Sequence, residues 1–88
     1  MEKEQIVRFF SSPLREILQR SKLSFETVYE IRLRVKKPLI LLTSQGERFL
    51  DGQGRLVSEW KEAYQVTAAD LLETLEILSG YSLYAYEE

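Results

Sequence analysis

The sequence predicts a small α+β domain: helices at the amino end, a mainly antiparallel sheet after them, and a late helix packed on one sheet face. Three observations predict it. Residues 27–35, TVYEIRLRV, alternate apolar and polar side chains with the period of two that a half-buried strand requires. Residues 38–54 follow with a dense apolar run and two turn signals, Gln45-Gly46 and the DGQG of Asp51 to Gly54, which tolerate positive φ and so suit hairpins. Residues 67–80, TAADLLETLEILSG, set leucines at helical spacing between a capping threonine and a terminating glycine.

Taken in order, Ile6, Val7, Phe9 and Phe10 recur at spacings of three and four and open the chain with a helix. The SSPLREILQR stretch restarts it, either as a second helix or after a bend. Ser12 is placed to cap, Pro13 suits the first helical position, and Glu16 complements the dipole in the first turn. Leu14, Ile17 and Leu18 make its apolar stripe. In the first strand Tyr29, Ile31, Leu33 and Val35 point one way, and Glu30, Arg32 and Arg34 the other. Pro38, which cannot donate to a ladder, starts the second strand, PLILLTS, and ERFL makes a short third. The RLVSEWKEAY stretch fits neither period and is read as loop, with a strand near Tyr64 to Val66. Thr67 then caps a helix over 68–79 with Asp70 in a capping-box position; Ala68, Leu71, Leu72, Leu75 and Leu78 line one face, and Gly80 ends it. Ser82 is placed to cap a last helix too short to stand alone, so residues 1–88 are expected to be a single amino-terminal domain at the front of a longer protein. Tyr29, Ile31, Leu33, Val35, Leu39, Leu41, Leu72 and Leu75 are the residues expected to be mostly buried.

Composition narrows the function. A chain of 88 residues with 44% hydrophobic and 30% charged residues folds as one domain. Its net charge of −2 argues against a general nucleic-acid binder. With no Cys and no His it has no thiolate or imidazole metal ligand, no Cys nucleophile and no Ser-His-Asp triad. No signal peptide or apolar run of membrane-spanning length appears, so a soluble cytoplasmic domain is expected.

The residues that suggest chemistry are few. Arg32 and Arg34, two apart on a strand, stand roughly 7 Å apart on one face and suit a bidentate hold on a carboxylate or phosphate. The plainer reading is a solvated face with Glu30 balancing their charge. Lys36 and Lys37 read as an edge or turn that resists aggregation. Tyr81, Tyr84 and Tyr86 suit a core or a domain interface better than base stacking, because Glu87 and Glu88 lie beside them. Glu73 and Glu76 fall on a polar helix face, which is no place for an acid/base pair. GQG lacks the spacing and the lysine of a phosphate loop. No catalytic set and no metal site is found.

Two stretches, EIRLRVKKPLIL and VTAADLLETLEILSGYSLYAYEE, resemble the amino-terminal region of stage III sporulation protein AA. In that family EIRLR and RPL are usual, and a threonine-capped helix runs into YSLYAYEE; Lys37 stands where arginine is common before Pro38. The likeness spans roughly residues 13 to 88, and Glu30, Arg32, Arg34, Pro38, Thr67, Tyr81, Tyr84, Tyr86, Glu87 and Glu88 match family positions. It implies an amino-terminal domain like those of type II and type IV pilus secretion ATPases, ahead of an ATPase domain that would bind ATP and Mg²⁺. The family resemblance further implies a ring, hexameric in the pilus ATPases, in which this domain packs on its own and a neighbouring subunit's ATPase domain. It also implies work in the mother cell, peripheral to the membrane, on proteins of the channel to the forespore. No nucleic acid is implied. Glu30, Arg32, Arg34, Tyr81, Tyr84 and Tyr86 would then be inter-domain or inter-subunit contacts. The alternative is a free-standing α/β interaction or small-anion-binding module built on Arg32 and Arg34.

Overall fold

The computed structural model describes residues 2–80. Helix α1 (Lys3–Val7) and helix α2 (Ser12–Arg20) are separated by a break over residues 8–11, so the amino end holds two helices. The cap of α2 is Ser11, one residue earlier than predicted: its Oγ accepts from the Leu14 N–H, which moves Ser12 and Pro13 inside the helix. Strands β1 (Val28–Arg32), β2 (Ile40–Thr43), β3 (Gly46–Leu50) and β4 (Leu56–Val57) form one sheet in the order β1-β2-β3-β4, every pair antiparallel. This is the expected meander with a fourth short strand that the irregular pattern after Gly54 concealed. The strand sought at Tyr64–Val66 amounts to a single antiparallel bridge between Gln65 and Pro38.

The core lies between the helices and one sheet face. Leu14, Ile17 and Leu18 of α2 and Val7 of α1 pack with Phe25, Val28, Leu39, Leu41, Leu50 and Val66. The expected burial of Leu39 and Leu41 is complete, and Ile31 and Leu33 are half-buried. Tyr29 is not buried; it is 65% exposed. Its error has a local cause. Val28 pairs with Thr43 and Glu30 with Leu42, so Tyr29 is the extra residue of a β-bulge and the alternation slips by one. Val28 and Ile31 take the core face. Val35 is also exposed, because β1 ends at Arg32 and the chain has entered a turn by then.

Helix α3 (Ala68–Leu78) departs furthest from expectation. Its capping box forms as predicted: the Thr67 Oγ1 accepts from the Asp70 N–H at 3.0 Å and the Asp70 Oδ2 from the Thr67 N–H at 3.1 Å. Its inward side, however, is polar. Asp70 and Thr74 are buried, whereas Leu72, Leu75 and Leu78 are 55%, 46% and 59% exposed. The reason lies in the α1–α2 break. The buried Ser11 N–H donates to Thr74 Oγ1 at 3.0 Å, and its hydroxyl donates to Asp70 Oδ1 at 2.8 Å. Turning the leucines inward would strand those groups, at about 1–3 kcal/mol each. The helix that covers the sheet is therefore α2, and α3 lies against α2 with no residue in the apolar core.

Candidate functional site

Register places the predicted charged residues. On the sheet face away from the core, Arg32 pairs with Ile40, Ile40 with Phe49 and Phe49 with Val57, making one row across all the strands. Glu30 heads the next row, opposite Leu42 and then Glu47. Arg32 Nε donates to Glu30 Oε2 at 2.8 Å. That bond and the Glu30 charge raise the Arg32 pKa further above its already high ordinary value.

Beyond Arg32 the strand stops and residues 34–37 turn, the Lys37 N–H donating to the Arg34 carbonyl at 3.0 Å. Lys36 sits at φ +65, where a type II turn ordinarily holds glycine. Three backbone bonds pin the turn: Lys36 N–H to the Val66 carbonyl at 2.7 Å, Val66 N–H to the Lys37 carbonyl at 2.9 Å, and Leu39 N–H to the Tyr64 carbonyl at 2.8 Å. Because the first and last residues of a turn converge, Arg34 and Lys37 come together beside Arg32. The three, with Pro38 and Ile40, line a cavity of about 100 Å³. Among the described residues the ion pairs are Arg20–Glu16, Arg32–Glu30 and Arg55–Asp51, so Arg34 and Lys37 have none. Sequence reasoning brought Arg32 and Arg34 to one face but left Lys37 as a turn residue. The signal for it was the spacing of Arg34 and Lys37 across a turn ending before Pro38.

Beneath this turn lies a buried polar knot. Burial pushes the Asp70 carboxyl up, but hydrogen bonds from the Tyr64 hydroxyl, the Thr67 backbone and the Ser11 hydroxyl outweigh it and hold Asp70 below the usual carboxylate range. Tyr64 responds oppositely: burial, then its bond to Asp70, pushes its hydroxyl up to about 12. The knot holds Tyr64, and through it the Leu39 and Val66 contacts of the turn, in place.

The second unusual surface is the outer side of α3. Leu72, Leu75 and Leu78 recur every third residue along it, and the helix carries Asp70, Glu73 and Glu76 with no basic residue.

The family model of sporulation stage III protein AA matches residues 1–88. The chain belongs to that family. No curated protein and no solved structure matches it. Of the family positions, Glu30, Arg32, Arg34, Pro38 and Thr67 are now placed: the first four at or beside the basic cavity, the last at the cap of α3. Tyr81, Tyr84 and Tyr86, and the Ser82-capped helix, lie outside the described residues. Lys37 supplies a third cation at the cavity wall. Among the described residues no three of His, Cys, Asp and Glu group as a cation site, and no helix is long and apolar enough to cross a membrane.

Proposed function

We infer a role in sporulation from membership of the family. We propose that residues 1–88 are a non-catalytic assembly and regulatory domain of a secretion-type sporulation ATPase that energises the channel between mother cell and forespore. In this reading ATP and Mg²⁺ are held by the rest of the full-length protein, not by these residues. The domain's partners are its own ATPase domain, neighbouring subunits in a ring of hexameric type and, through the ring, membrane channel proteins, on the mother-cell side. The observation that carries the reading is the leucine face of α3, an apolar stripe left outward on a helix already anchored by its polar side. A helix built this way is stable before its apolar face is covered, which is what a docking element needs.

The test is to replace Leu72, Leu75 and Leu78 by Gln in the protein as the cell makes it and count heat-resistant spores. A fall with normal protein levels is expected. Unchanged sporulation overturns the assembly reading.

A further inference from the structure

The cavity between the end of β1 and the start of β2 has the makings of a receptor. Its cations are convergent: Arg32, Arg34 and Lys37 all line about 100 Å³ of space. They are also held in advance. The turn that brings Arg34 to Lys37 keeps a lysine at φ +65, a conformation that glycine adopts far more readily than lysine, and it is clamped to Val66 by backbone bonds of 2.7 and 2.9 Å. A strained residue clamped from outside is a mark of a geometry kept for use. The cations are available: Arg34 and Lys37 lack ion partners among the described residues, and Arg32 commits only its Nε to Glu30, leaving both terminal nitrogens.

We propose that Arg32, Arg34 and Lys37 receive a single carboxylate, an aspartate or glutamate side chain presented by a protein partner. Two features select a carboxylate over a more highly charged anion. Glu30 already stands 2.8 Å from Arg32, and Glu47 acts on Arg32 from two strands away, so the local excess of positive charge is small and suits a monoanion. Pro38 and Ile40 supply apolar walls for the methylenes behind the carboxyl group. The guanidinium plane of Arg34 offers two parallel N–H donors to the carboxylate oxygens, and Lys37 adds a point charge. The site lies apart from the leucine face of α3; it rests on the assembly reading only for the source of the carboxylate, and the measurement below reads the site by itself.

The test is a titration of the ¹⁵N-labelled 88-residue chain with the capped peptide acetyl-Ala-Glu-Ala-amide, following the arginine Nε–H and the Lys37 backbone signals, with acetyl-Ala-Gln-Ala-amide, sodium chloride and inorganic phosphate as parallel arms. Saturable shifts at Arg32, Arg34 and Lys37 with the Glu peptide alone are expected. Arg34→Gln and Lys37→Gln, both at exposed positions, should each weaken binding about tenfold while the remaining spectrum stays folded. Arg34→Lys should recover only part of the loss, because a lysine cannot hold two oxygens in plane. Equal shifts from the Gln peptide or from chloride, or variants that bind as wild type, overturn the proposal. Phosphate binding tighter than the Glu peptide overturns the carboxylate assignment in favour of a phosphate group.

Discussion

At Gly54 a single hydrogen atom separates the β3–β4 turn from helix α2. Its φ is +82, and a Cβ there would sit 2.7 Å from the Ile17 carbonyl and 2.8 Å from Arg20 Cβ. The nearest obstacle is backbone, which cannot swing aside. Gly54→Ala is therefore expected to lower unfolding stability by about 2 kcal/mol or more, read as a lower urea midpoint at unchanged slope. Lys36, at φ +65, tests the opposite sign: Lys36→Gly should be neutral or raise stability by up to about 1 kcal/mol, since it releases the left-handed strain. Tyr64 sets an alkaline limit. Its hydroxyl is pushed up to about 12 from 10.0, so between those values the folded chain keeps a proton that the unfolded chain has lost. Stability must fall as pH rises through that window, and Tyr64→Phe should flatten the fall. Asp70 has the reverse sign: its contribution is present above 3.8 and is lost as pH drops below it.

Among the elements, α3 separates two jobs that a surface helix usually combines. Anchoring is done by Asp70 and Thr74 through Ser11, and the leucines are left free. Replacing Leu72, Leu75 and Leu78 by Gln should then change the stability of the 88-residue chain by less than about 1 kcal/mol, because exposed leucines contribute little to folding. Asp70→Ala should cost about 2–4 kcal/mol by leaving the Ser11 and Tyr64 hydroxyls and the Thr67 N–H without their acceptor. Thermal melts of the two variants side by side give the comparison; a larger loss from the leucine variant would mean that the leucine face is part of the fold. Strand β1 is the other element whose sequence misleads. Its period of two is real, but one bulge residue moves Tyr29 out and brings Val28 in.

On the scale of the whole molecule, the outward surfaces of the described residues include the basic cavity at the end of β1 and the leucine stripe on α3. Removing both arginines by Arg32→Ala with Arg34→Ala should leave the chain folded with a urea midpoint close to that of wild type, since the Glu30–Arg32 pair is exposed and Arg34 has no ion partner among the described residues. On the proposed assembly reading, the same change in the full-length protein should impair assembly or ATP turnover. Isothermal titration of the 88-residue chain with Mg-ATP should show no heat of binding; micromolar binding would favour a ligand module over an assembly domain.

Much of this was legible in local signals. The α+β class, the meander, the capping box of Thr67 and Asp70, and the outward placement of Glu30 and Arg32 all follow from periodicity and caps, which act over a few residues. The resemblance carried by EIRLR and YSLYAYEE reached the family from the sequence alone. Which face of α3 points inward was not legible, because it depends on Ser11, 59 residues from Asp70, having buried groups that demand partners. Nor was the third cation of the cavity, because only a turn clamped to residues 64–66 carries Lys37 beside Arg32 and Arg34. Local patterning determines where an element forms and how it is capped. Satisfying buried polar groups from distant segments decides which way it faces, and that requirement exists only once the chain has folded.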